Sequence, residues 1–136
     1  MEADYHQSKD GTAIRDYLHV VDLAKGHVKA LEKLKDTGLM ETFNLGRGEG
    51  VSVMQLLRTF EKATGQKIPY TIGKRRPGDL PAFWADTRMA ERELQWRATK
   101  TIEQACRDAW RWQTLNPEGY EPLESNKDSI ASPKTT

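Results

Sequence analysis

A chain of 136 residues with 37% hydrophobic and 30% charged side chains has the size of one ordinary domain, with a core that is adequate rather than generous. Its formal charge of +1, from 21 basic and 20 acidic residues, gives no global field to gather nucleic acid or anionic lipid, so any anion must be held by a local arrangement. The single cysteine, Cys106, excludes an internal disulfide and fits a reducing compartment, and no apolar run approaches the roughly 20 residues that span a bilayer.

The N-terminal string "MEADYHQSKDGT" lacks the basic stretch and apolar run of a secretory signal, which places the chain among cytoplasmic, soluble, mixed α/β domains. "AIRDYLHV", residues 13–20, is rich in β-branched and aromatic side chains and predicts a short strand or extended segment. Asp22 is the expected N-cap of a helix running to about Lys35. Along it Ala24, Val28 and Leu31 recur at helical spacing, with Leu23 and Leu34 on the flank, and Gly38 closes the segment. "METFNLG", 40–46, predicts a second strand.

Ser52 with Gln55 forms a capping-box pattern ahead of Val53, Leu56, Leu57 and Phe60, one amphipathic face that Gly65 terminates. "KIPYTIG", 67–73, predicts a third strand, with Pro69 restricting it to an edge or a strand start. "DTRMAERELQW" predicts a short helix capped by Asp86 or Thr87. A second capping box, Thr101 and Gln104, opens a last helix with the stripe Ile102, Ala105, Ala109 and Trp112, ended by Asn116, Pro117 and Gly119. The polar string after Glu124 predicts a disordered tail over 124–136, which leaves 1–123 as the folded domain. No internal repeat is present.

Three strings invite chemistry. "GRGEG", 46–50, sits where a dinucleotide fingerprint would, but its third glycine comes one position early and no acid follows near 68–73. It is a tight strand-to-helix turn, not a nicotinamide-binding loop. Arg15 lies within an extended apolar segment, where it either snorkels to water or projects a planar guanidinium at a phosphate or carboxylate. In "RRPGDLP", 75–81, Pro77 fixes its own φ and keeps Arg76 extended, while Gly78 supplies the turn. Arg76 and Asp79 are thereby aimed rather than mobile. They form either an internal ion pair that shapes the loop, or a clamp in which the arginine takes a phosphate and the aspartate takes sugar hydroxyls. His19 reads as a packing residue, and His6 and His27 have no metal-ligand spacing with it. Trp96, Trp110 and Trp112 are assigned to helix packing, and Trp84 stays open between packing and carbohydrate stacking.

Taken in order, "DGTAIRDYLHVVDLAKGHVKAL", "FNLGRGEGVSV", "RRPGDLPAFWAD" and "WRWQTLNPEGY" resemble the C-terminal part of UDP-glucose 4-epimerases, also called UDP-galactose 4-epimerases, from about Asp4 to Tyr120. These belong to the extended short-chain dehydrogenase/reductase superfamily. The resemblance implies an α/β fold, the substrate-binding portion of an NAD(P)-binding Rossmann-type protein, with a few short strands and about four helices. It implies interconversion of UDP-glucose and UDP-galactose in galactose metabolism, with NAD taking hydride from the sugar C4 and returning it to the opposite face.

The same resemblance puts the catalytic tyrosine and lysine and the glycine fingerprint in the family's N-terminal half. This chain is therefore expected to contain neither, to bind no NAD alone, and to keep only UDP-sugar binding. Carried over by position, Arg15 and Arg76 match the arginines on the UDP diphosphate, Asp79 the acid that helps hold the nucleoside, and Tyr17 a pocket-wall candidate. Phe83 matches the residue facing the hexose, and its bulk implies a preference for UDP-glucose and UDP-galactose over their N-acetyl counterparts. The strand matching "TFNLG" joins the large sheet of the N-terminal domain, so the chain alone is expected to be marginally stable or to associate. Homodimer formation belongs to the full-length enzyme, whose pairing surfaces lie largely in the other half. Other readings are a non-catalytic nucleotide-sugar-binding or complementation module that docks on a separately encoded NAD-binding half, and a fragment of a related nucleotide-sugar dehydratase or decarboxylase.

Overall fold

The computed structural model describes residues 8–38 and 40–120. The expected tail over 124–136 lies outside them, as does His6. Among the described residues the elements are β1 (Ile14–Arg15), α1 (Val20–Thr37), β2 (Val51–Ser52), α2 (Val53–Thr64), α3 (Arg88–Leu94) and α4 (Ile102–Leu115).

All four expected helices form, and local chemistry sets most of their ends. Ser52 and Gln55 close a reciprocal capping box at α2, as do Thr101 and Gln104 at α4. Gly38 and Gly65 adopt the left-handed conformation, at φ 66° and 71°, and stop α1 and α2 where a side chain would be strained. Asn116 caps the C-terminus of α4. At α3, Thr87 occupies the cap position but its side chain makes no cap hydrogen bond.

The N-cap of α1 differs from expectation. His19, not Asp22, is the cap: its backbone is extended, and its Nδ1 accepts the Val21 N–H at 3.0 Å. The acceptor role at Nδ1 puts the ring proton on Nε2, which donates to Asp108 Oδ2 at 3.1 Å and ties the start of α1 to α4. Asp22 is buried in the first turn instead, 1% exposed. Its Oδ2 accepts the Thr99 and Lys100 N–H groups at 2.9 and 2.7 Å, and its Oδ1 accepts the Thr99 hydroxyl at 3.1 Å.

The strands are shorter than expected. Of residues 13–20 only Ile14 and Arg15 pair, antiparallel to β2 in the register Ile14↔Ser52 and Arg15↔Val51. On its other side β1 takes a single parallel bridge, Ile14↔Ala82, through Ile14 N–H to Pro81 O at 2.9 Å and Phe83 N–H to Ile14 O at 3.3 Å. Residues 40–46 and 67–73 form no strand among the described residues. Both have strand-forming composition, but a ladder needs a partner with free backbone groups, and none lies alongside.

The core sits where α3 meets α1: Ala90, Leu94 and Trp96, backed by Leu18, Ala30, Phe43, Leu45 and Ala98. Trp96 donates its indole N–H to Asp22 O at 3.0 Å. α2 packs on α4, with Phe60 and Trp110 edge to face at 5.9 Å between ring centroids. The expected apolar stripe of α1 faces outward. Val20, Val28 and Leu31 are 70%, 53% and 64% exposed, while the buried ridge is Asp22 and Gly26. A Cβ at Gly26 would lie 2.6 Å from Leu45 Cδ1 and 3.2 Å from Trp96 Cε2, so glycine lets the indole and Leu45 close on the helix. Small residues, not large apolar ones, decide which side of α1 meets the core.

Candidate functional site

Arg15 ends β1, and the parallel bridge beside it brings Phe83 underneath. The guanidinium carbon lies 4.6 Å from the Phe83 ring centroid, and Nη1 donates to Ile14 O at 2.8 Å. Such a cation–π contact contributes about 0.5–1 kcal/mol at exposed sites and fixes the plane of the guanidinium. Phe83 remains 52% exposed on its other side, available to a further flat or apolar group.

Upstream, residues 76–79 make a tight turn. Asp79 N–H donates to Arg76 O at 3.3 Å, Pro77 stands second, and Gly78 third at φ 83°, the pattern of a type II turn. The ion pair expected under the structural reading of this loop is present, Arg76 Nε to Asp79 Oδ2 at 3.2 Å, with the arginine side chain 83% exposed. Arg75 Nη2 donates to Asp79 O at 2.7 Å. Phe83 follows Asp79 by four positions, a reach of at most about 14 Å along an extended chain. Arg76, Asp79 and Phe83 therefore lie on one strap, bridged to β1 at Ala82, and Arg15 faces it from β1.

Tyr17 follows Asp16 on the same segment. It lines an apolar cleft of about 800 Å³ together with Leu56, Phe60, Cys106 and Trp112, between the start of α1 and the α2–α4 pair. Burial raises its phenol pKa against the opposing pull of the Arg15 charge.

Sequence reading missed the acid that organises these parts. Asp16 Oδ1 accepts the Arg47 N–H at 2.9 Å, and its Oδ2 accepts the Gly48 N–H at 3.1 Å and the Ala85 N–H at 3.2 Å. The only signal was an acid next to an arginine in an otherwise apolar extended segment. Asp10 plays a parallel part: its carboxylate accepts from Thr12 N–H, from the Thr12 and Ser8 hydroxyls, and from the hydroxyl of Ser52, the N-cap of α2. Burial works against ionisation of Asp10, but those four donors outweigh it and lower its pKa.

The "GRGEG" turn is a structural turn, as its spacing implied. Its Arg47 and Gly48 amides already serve Asp16, so this turn offers no cradle for a pyrophosphate. The spacing Tyr-x-x-x-Lys does occur, at Tyr5/Lys9 and Tyr70/Lys74. Tyr5 lies outside the described residues, and 70–74 is exposed and not helical, so Tyr70 and Lys74 do not share a helix face. Among the described residues no three His, Cys, Asp or Glu side chains gather as a metal site, and no helix is long and apolar enough to cross a membrane.

Residues 2–109 match the family model described as GDP-mannose 4,6 dehydratase, and the chain belongs to that family. Within it, the relatives are epimerases. The chain is 49% identical over 119 residues to the UDP-glucose 4-epimerase of Bacillus subtilis (strain 168), covering 88% of this chain and 35% of the relative. Among solved structures, the UDP-glucose 4-epimerase of Stenotrophomonas maltophila with bound NAD and formylated UDP-arabinopyranose superposes with a TM-score of 0.81 at 43% identity, over 86% of this chain and 35% of that one. The UDP-glucose 4-epimerase of Bifidobacterium longum in complex with NAD+ and UDP gives 0.76 at 44% identity, over 88% and 35%. The fold is thus a portion of the Rossmann-like epimerase architecture, and the chain spans about a third of the length of these relatives.

Proposed function

We propose that this chain supplies the UDP-sugar-binding portion of a UDP-glucose 4-epimerase, and that NAD and the catalytic tyrosine and lysine belong to another portion of that enzyme. In this reading Arg15 and Arg76 hold the two phosphates, Asp79 accepts hydrogen bonds from the nucleoside, and Phe83 faces the hexose. The observation that carries it is the strap. A parallel bridge seats Phe83 under Arg15, and the Pro-Gly turn presents Arg76 and Asp79 a few residues upstream. Guanidinium groups on a fixed backbone give the two-pronged hydrogen bonding that a diphosphate needs. No proton or hydride step is assigned to these residues; they bind and orient.

A complementation module that docks on a separately encoded NAD-binding half is favoured by the outward apolar stripe of α1. Both readings require the UDP contact, so the test addresses it directly. Calorimetric titration of the chain with UDP is run beside Arg76→Ala. Losing one arginine–phosphate contact costs about 1.5–3 kcal/mol, a ten- to hundredfold weaker Kd. Equal affinity in the two proteins removes Arg76 from the site, and no binding by either removes UDP binding from the chain on its own.

A further inference from the structure

We propose that Asp16 is a positioning residue for the nucleotide sugar, acting through Arg15 and Phe83 rather than on the ligand. The inference rests on the reading of those two residues given above. The Arg15–Phe83 contact lies between two hold points. Upstream, the strap is fixed by the hydrogen bonds Ile14 exchanges with Pro81 and Phe83. Downstream, the hold is Asp16 Oδ2 on the Ala85 N–H. Asp16 directly follows Arg15, and Ala85 comes two residues after Phe83, so one carboxylate sets the separation of the two backbones on which the contact depends.

The same carboxylate ties that pair to the turn before β2, through Arg47 and Gly48. The backbone at residue 46 passes close to it, and only glycine fits there. A Cβ at Gly46 would overlap Asp16 Oδ2 and lie 2.6 Å from Ala85 Cβ. All three partners are backbone N–H donors and none can accept. An asparagine would turn its own N–H₂ toward at least one of them.

The test uses the full, ¹⁵N-labelled chain as wild type, Asp16→Asn and Thr99→Val, the last a control that perturbs the α1–α4 tether away from the strap. Asp16→Asn is expected to move the Arg15 Nε–H and Phe83 N–H resonances and to weaken UDP binding at least tenfold. Thr99→Val is expected to change neither. Unmoved resonances in Asp16→Asn, or moved resonances with unchanged UDP affinity, overturn the proposal while UDP binding by the wild type still stands. If the wild type fails to bind UDP, the functional reading falls and the resonances alone decide whether Asp16 positions the pair. If Asp16→Asn does not fold, amide exchange in the wild type decides. Ala85, Arg47 and Gly48 protected together with Phe83 support the proposal, and Ala85 exchanging freely beside a protected Phe83 overturns it.

Discussion

Asp22→Asn isolates the value of a charge from the value of a shape. The wild-type carboxylate accepts two backbone N–H groups on Oδ2 and a hydroxyl on Oδ1. An asparagine of the same shape keeps its carbonyl on the two N–H groups and turns its amide to Thr99 Oγ1, which accepts once its hydroxyl rotates. Both backbone donors keep an acceptor, so the main loss is the charge assistance on those two bonds, roughly 1–2 kcal/mol. Unfolding entropy of about 2.1 cal/mol/K per residue converts that to a fall in Tm of about 3–7 °C for a chain of this length. Asp22→Ala strands both N–H groups and is expected to cost about 3–5 kcal/mol, a large share of the stability of any single domain.

The pH dependence separates this account from a packing effect. Burial opposes ionisation of Asp22, but the Lys100 and Thr99 N–H groups and the Thr99 hydroxyl outweigh it and hold its pKa below the usual value. A folded pKa below the unfolded one, about 3.9, means the contribution is complete above that value and is lost as pH falls through the folded pKa. The Tm gap between wild type and Asp22→Asn, followed by circular dichroism, is therefore expected to close between about pH 4 and the folded pKa. A gap of the same size at pH 7 and pH 2.5 would refute the reasoning, as would a variant as stable as wild type at pH 7.

Two further outcomes follow from packing. Gly46→Ala puts a Cβ into Asp16 Oδ2 and Ala85, neither of which can retreat without breaking the strap, so a loss of about 1–3 kcal/mol is expected in chemical denaturation, against no gain from helix propensity. The outward α1 stripe, with Val20 and Leu31 more than half exposed, predicts that the chain associates: sedimentation should show a mass that rises with concentration, and a sharp, concentration-independent melt from a monomer would count against it.

What could be read from the sequence was whatever is decided within a few residues. Ser52 with Gln55 and Thr101 with Gln104 met as capping boxes because a cap needs only one turn of chain. The Arg76–Asp79 pairing and its Pro-Gly turn were legible for the same reason. Strands at 40–46 and 67–73 were not, since composition gives the tendency to extend while a ladder depends on a neighbour. The cap of α1 was misplaced because Asp ranks high at N-caps and His does not, yet the lone imidazole of His19 had both Val21 N–H and Asp108 within reach. The Arg15–Phe83 contact was not foreseen, because it joins residues about half the chain apart. Asp10, Asp16 and Asp22 each receive donors from a distant segment, and nothing in spacing alone distinguishes them from solvated acids.

The two arginines of the proposed site are held differently, and magnitudes decide what that would mean for a ligand. Arg15 is held by β1, by the Phe83 ring and by the neighbouring carbonyl, so its orientation is set before anything binds. Arg76 is exposed and paired with Asp79 across a single turn. Pairs of that kind contribute between about 0 and 1 kcal/mol, because water already screens them. A phosphate offers the same guanidinium about 1.5–3 kcal/mol of charge-assisted hydrogen bonding. In the proposed site a phosphate would therefore outweigh the ion pair, and Asp79 would hold Arg76 at the turn until an anion took it.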